Sequence, residues 1–137
     1  GVDEYNDLSC LRYKKVVICT DADADGAAIS ALIIGMFGQH LKFLIDDGRL
    51  FVNQSPLFFQ DGRYLRPDEV DQLVKSKPFT RFKGLGELNA DQAEDVFFGD
   101  HQRLLKITSE GIDDALVMLT STEAKYDLMI KNGIIKE

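Results

Sequence analysis

The sequence predicts an α/β fold: a parallel sheet flanked by helices, with an α+β tail toward the carboxyl end. Three observations predict it. Val16 to Thr20 is a run of apolar and β-branched residues and reads as a short strand buried on both faces. Asp21, Asp23 and Asp25 follow at alternate positions, just past the carboxyl end of that strand, where open α/β sheets place their ligands. Ala27 to Phe37 then has no breaker except Gly35 and reads as a helix, with Gly26 supplying a sharp turn before it.

The aspartate string is the chemical centre of the chain. Three converging carboxylates repel one another unless a cation sits among them. Hard oxygen ligands select Mg²⁺, or Mn²⁺ in its place. The residues Asp21, Asp23 and Asp25 are therefore the candidate metal ligands.

The elements follow in order. Residues 1–14 are polar and irregular. The helix after the aspartates extends to about Ile45. Leu32, Ile33, Met36, Phe37, Leu41, Leu44 and Ile45 fall at helical spacing and should cover the sheet. Gly35 and Gly38 weaken or bend it, or allow close packing, and Asp46-Asp47-Gly48 ends it. His40 lies away from the aspartates and is read as ordinary. Residues 49–59 form two short strands broken around Ser55-Pro56, because proline lacks an N–H. Asp61-Gly62 is a turn that makes Leu57 to Leu65 a hairpin. Pro67 opens a short helix from Asp68 to Val74. Asn89 is a suitable N-cap for a helix from Ala90 to Phe98. Leu104 to Thr108 reads as a strand, and Ile112 to Lys131 as a final helix.

Composition bounds the rest. At 137 residues the chain fits one domain, or one with an appendage, and 45% apolar residues can build a core. No stretch is apolar enough to span a membrane, and there is no signal-peptide pattern. Cys10 and Cys19 make no disulfide framework, and Cys19 reads as a small buried hydrophobe, so a cytoplasmic setting is expected. The chain opens on Gly1, which suits a processed chain or a fragment. The net charge of −7 is opposite to that of a self-sufficient DNA binder. Lys75, Lys77, Arg81, Lys83, Arg103 and Lys106 nevertheless cluster in one third of the sequence, the region best suited to face phosphate.

Several segments in register carry a family resemblance. Phe82-Lys-Gly-Leu-Gly-Glu-Leu-Asn89 resembles the R-Y-K-G-L-G-E-M-N segment of the B subunits of DNA gyrase and topoisomerase IV. Arg49-Leu-Phe-Val-Asn-Gln-Ser-Pro-Leu57 resembles their G-x-V-Y-I-A-Q-P-P-L strand. Asp3-Glu-Tyr-Asn6 and Leu11-Arg-Tyr13 resemble the lead-in to their D-x-D-x-D-G string. The order and spacing agree to about residue 108, so the chain is similar to the TOPRIM part of a type IIA topoisomerase. The resemblance implies a division into a metal-binding part, 1–66, and a DNA-gate or tail region, 67–137. Two other families use comparable strings. An EF-hand loop requires glutamate at its twelfth position, which here is Leu32. Haloacid-dehalogenase-type phosphatases usually have Thr or Val where Asp25 stands.

The resemblance implies a function: Mg²⁺-dependent DNA double-strand cleavage and religation within an ATP-driven enzyme. Asp21 and Asp23 would hold metal, and Asp25 would support it directly or through water. Arg81, Lys83, Gly84 and Gly86 would lie at the DNA, the glycines by letting the backbone approach a partner or phosphate. Two departures stand out. The family usually has histidine and arginine where Ala28 and Ser30 stand, which removes two polar groups near the metal. Its terminal M-G-D and R-R residues have no counterpart around Thr120 to Tyr126. The glutamate of an upstream E-G-D-S-A motif and all ATPase motifs are absent, and Glu4 lies in the wrong segment. The expected partners are therefore DNA, a chain carrying that glutamate and the ATPase, and a breakage-reunion subunit carrying the attacking tyrosine. Split enzymes of this kind occur in the family, notably among phages, so the setting is a nucleoid or an infected cytoplasm. Neither Arg12-Tyr13 nor Arg63-Tyr64 is assigned as nucleophile. A non-catalytic docking subunit is the alternative from another class, and a phosphatase the weaker one.

Overall fold

A computed structural model describes Leu8, residues 11–110 and Ile112. The expected helix over 112–131 lies outside the described residues, except for Ile112. The first strand, β1 (Val16–Cys19), pairs in parallel with β2 (Leu50–Asn53), in the register Val16 to Leu50 and Cys19 to Asn53. Two helices make the crossover between them, α1 (Ala24–His40) and α2 (Lys42–Asp46). A late strand, β6 (Leu104–Lys106), joins the other side of β2 antiparallel, giving the order β1-β2-β6.

Burial explains why the crossover packs as it does. Ile18, Ile45 and Leu50 are buried, with Ile112, and Val16, Ile33, Ile34, Phe37, Val52 and Ile107 pack against them. Each of the four buried aliphatic side chains contributes about 1.5–3 kcal/mol, and the partly buried ones less. The expected apolar face is only partly right. Leu32 and Met36 are 63% and 45% exposed, beside Ile29 at 51%. The sheet-facing row instead runs through Gly26, Ser30, Ile33 and Ile34, and Phe37, one helical turn apart each time. Small residues at its start bring the helix close to the strand end, and Leu32 and Met36 are thereby rotated outward.

The helix is also broken where none of the expected glycines lies. Gly35 and Gly38 are buried inside α1, and the break falls at Leu41, with φ −137° and ψ 34°. The C-terminal stop of α2 is as expected. Gly48 takes φ 71°, its N–H reaches Ile45 O and that of Arg49 reaches Leu44 O, the paired bonds of a Schellman motif.

A second sheet, β4-β3-β5, stands after the Ser55-Pro56 break. The hairpin of β3 (Phe58–Gln60) and β4 (Arg63–Leu65) turns on Asp61 and Gly62, at φ 49° and 78°. Two successive positive φ values make the tight type I′ turn that suits strand twist. A short strand the sequence does not announce, β5 (Thr80–Arg81), pairs with β3. The expected helix after Arg66 is a 3₁₀ segment, Pro67–Gln72. The helix α3 (Ala90–Phe98) has the expected bounds and is closed by a capping box between Asn89 and Gln92. Its Val96 joins Tyr64 and Phe82 in a second core, with Phe59, Leu88 and Phe97 against it. Buried Arg66 ties the halves together, donating from Nε to Gln54 O at 2.9 Å and from its guanidinium to His101 O.

Cys19 is exposed, contrary to expectation. Val17 and Cys19 point to the sheet face away from α1, over a cavity of about 500 Å³ that Leu85, Phe97 and Phe98 only partly close. No helix among the described residues is long and apolar enough to cross a membrane.

Candidate metal centre

The aspartate string does not continue β1. Asp23 is the N-cap of α1, extended at φ −102° and ψ −178°, and its Oδ1 accepts from Gly26 N–H at 2.8 Å. The helix therefore begins at Ala24, earlier than expected. Asp25 lies exposed in its first turn, where a negative charge favours the helix dipole. Gly26 has no positive φ and makes no turn. It is needed for another reason: a Cβ there would lie 2.1 Å from the Asp21 carbonyl oxygen.

Asp21 meets the second chemical stretch. Its Oδ1 accepts from Leu85 N–H at 2.8 Å. The backbone at Gly84 is so close that a Cβ would stand 3.3 and 3.4 Å from the two Asp21 carboxylate oxygens. The glycine expected to approach a phosphate here approaches the aspartate, while Gly86 faces open space. Within the loop, Glu87 Oε2 accepts from Lys83 N–H at 2.8 Å and holds the turn. Sequence reasoning named both stretches but not their contact. Its only signal was the paired glycines before a helix.

Asp21 and Asp23 each commit Oδ1 to a backbone amide, and no described residue bonds either Oδ2. Among the described residues no three His, Cys, Asp or Glu side chains come together as a metal-binding group. The expected convergence of three carboxylates is thus replaced by two at the strand end, with the third carried along the helix. That donor set still fits Mg²⁺, which is commonly held by one or two carboxylates and completed by water and substrate phosphate.

The residue just before Asp21 is held from two sides. Thr20 Oγ1 and Ser30 Oγ are 2.8 Å apart, and Ser55 Oγ donates to Thr20 O at 2.6 Å. Both serines are buried, at 8% and 4% exposure. A cavity of about 340 Å³ opens here, lined by Thr20, Asp21, Asp23, Ser30, Val52 and Ser55 among others. Sequence reasoning treated Ser30 only as a departure. Its signal was a lone hydroxyl on an otherwise apolar helix face.

The basic residues divide. Lys77 pairs with Asp61 at 2.7 Å, and Arg103 with Asp68 at 2.8 Å. Arg81 and Lys83 are exposed and make no ion pair among the described residues. Tyr13 is 70% exposed. Tyr64 is buried, and desolvation, with Asp95 nearby, pushes its phenol above the ordinary value. It packs at 5.3 Å against the His101 ring and serves the second core.

Residues 2–55 match the Toprim domain. The chain is 37% identical to the B subunit of DNA topoisomerase 4 from Francisella tularensis subsp. holarctica, along 91% of this chain and 22% of the relative. It is 38% identical to the B subunit of DNA gyrase from Spiroplasma citri, along 75% of this chain and 18% of the relative. It is also 38% identical to the corresponding gyrase chain of Thermus thermophilus, along 73% and 17%. The chain thus spans about a fifth of the length of these relatives.

Proposed function

The chain carries a Toprim domain and is a relative of the gyrase and topoisomerase IV B subunits, and from that premise we propose that it supplies the metal-binding carboxylates of a type IIA DNA topoisomerase. One observation carries the reading: the Asp21 carboxylate, at the carboxyl end of a parallel strand, is bonded to the loop that bears Lys83. Asp21 and Asp23 would hold Mg²⁺, or Mn²⁺, with Asp25 acting through water. Through an ion held there, Asp21 and Asp23 would supply stabilisation of charge on the leaving oxygen and an anchor for the scissile phosphate. The chain's own part is positional. Leu85 N–H fixes one oxygen of Asp21 and leaves the other open. Arg81 and Lys83, with Gly84 and Gly86, would bring DNA phosphates over the carboxylates.

ATP hydrolysis, the attacking tyrosine and a further carboxylate ligand would come from other chains of a complex acting on DNA in the cytoplasm. In this division residues 1–66 serve the metal and 67–137 the DNA gate. β1 is the outer strand of its sheet among the described residues. An outer strand offers unpaired amides and carbonyls to another strand. We place the partner's glutamate-bearing strand there, in an obligate interface of more than about 2,000 Å². The double variant Asp21→Ala, Asp23→Ala should fold normally, assemble and fail to cleave DNA. Normal Mg²⁺-dependent cleavage by that assembly would overturn the reading.

A second reading has an observation of its own. Ile29, Leu32 and Met36 form an exposed apolar stripe on α1, which suits a piece that docks rather than cleaves. The same double variant decides: under this reading it cleaves as well as the parent.

A further inference from the structure

Resting on the metal-site reading above, we infer that Ser30 and Ser55 are positioning residues for Asp21, acting together through Thr20. Neither serine reaches the carboxylate. Ser30 Oγ bonds Thr20 Oγ1 at 2.8 Å, and Ser55 Oγ donates to Thr20 O at 2.6 Å. The first bond fastens the end of β1 to α1, and the second fastens it to the linker that leaves β2. Thr20 is therefore gripped at its side chain and its carbonyl, and the next residue is Asp21. The peptide that launches the ligand carboxylate is fixed on its strand side by two buried hydroxyls. Beyond Asp21, Leu85 N–H holds the carboxylate, and the Gly26 backbone lies close against the Asp21 carbonyl. Among the described residues, Thr20 is the side chain that the Ser30 hydroxyl bonds. Ser30 is the one buried polar side chain of α1, in the row that otherwise meets the sheet through Gly26, Ile34 and Phe37.

Groups that orient metal ligands without touching the metal typically change its affinity about 10- to 100-fold when removed. The clamp leads to a dissociation that a purely structural role would not give. Thr20→Val keeps the shape but leaves the buried Ser30 hydroxyl unpaired, so it should lower both stability and metal affinity. Adding Ser30→Ala removes the stranded hydroxyl and should restore most of the stability, but not the affinity, because the strand end is still unfastened. Thr20→Ser retains the hydroxyl and should behave as the parent.

The test is Mn²⁺ titration of the chain assembled with the partner that supplies the further carboxylate, followed by the paramagnetic resonance of free Mn²⁺, beside the thermal unfolding midpoint. Asp21→Asn is the control. We expect Asp21→Asn to remove the tight Mn²⁺, and both Thr20→Val/Ser30→Ala and Ser55→Ala to weaken it about 10-fold, with Thr20→Ser unchanged. If Asp21→Asn removes Mn²⁺ binding but the clamp variants bind as the parent does, the positioning role is wrong and the site stands. If Asp21→Asn binds Mn²⁺ undiminished, the site itself is wrong and the inference falls with it.

Discussion

The aspartate turn after β1 and the loop from Phe82 to Asn89 meet at one hydrogen bond, between Asp21 and Leu85 N–H, yet they are built on opposite terms. At the aspartate turn the side chains carry the chemistry and the backbone holds them: Leu85 N–H takes Asp21, and Gly26 N–H takes Asp23. In the loop the backbone carries the contact and side chains hold it. Glu87 braces Lys83 N–H, and Asn89 and Gln92 close the helix start behind it. The difference teaches where substitutions should hurt. Changing a charge in the loop should affect DNA without disturbing metal, whereas adding bulk to its backbone should reach the metal.

The largest effect on this contrast is expected from Lys83→Glu in the assembled enzyme. It should weaken DNA binding broadly across sequences, since a lysine–phosphate contact carries no base information. The slope of log affinity against log salt should fall by about one for one lost phosphate contact. An Mn²⁺ titration of the same variant should match the parent. An unchanged salt slope would leave Lys83 as a residue of the turn alone.

Gly84→Ala should do the reverse. Its Cβ would arrive 3.3 Å from an Asp21 carboxylate oxygen, so that carboxylate must yield by a few tenths of an ångström. Mn²⁺ affinity should fall by less than the roughly 10-fold expected of a lost orienting partner, with the salt slope for DNA unaltered. Equal affinity in parent and variant would show that the close approach is incidental.

The smallest effect separates folding from both chemistries. Asn89→Ala removes the side-chain cap of α3 and should cost about 1 kcal/mol of stability, read as a lower denaturant midpoint. Mn²⁺ affinity should stay the same, because the cap does not touch Asp21. A drop in affinity would mean that the brace of the loop extends through the helix start.

The two regions also differ in how far the sequence exposed them. Aspartates at alternate positions after an apolar run announce themselves by residue type, and β1, β2, the hairpin and α3 were legible from period and turn chemistry. The departure of Asp25 from the other two was not. Side-chain alternation holds only while the strand lasts, and Asp23 ends it by capping α1. The outward turn of Leu32 and Met36 was hidden for a related reason: α1 is apolar nearly all round, so spacing alone could not choose its inner face. Loop 82–89 has no period at all, and its meaning came through resemblance. The long-range contacts around the aspartates, Leu85 to Asp21 and Ser55 to Thr20, span 64 and 35 residues, and no local pattern encodes them.

The central claim is that one metal site is shared between the strand-end aspartates and the backbone of the loop. Affinity cleavage tests it most directly. Fe²⁺ replaces Mg²⁺ in the assembled enzyme, ascorbate and peroxide generate hydroxyl radicals at the bound ion, and the cuts in this chain are mapped. Two clusters of cuts are expected, around Asp21 to Asp23 and around Gly84 to Leu85, both lost together in Asp21→Ala. Cuts confined to other segments, or a pattern that survives Asp21→Ala, would contradict the claim.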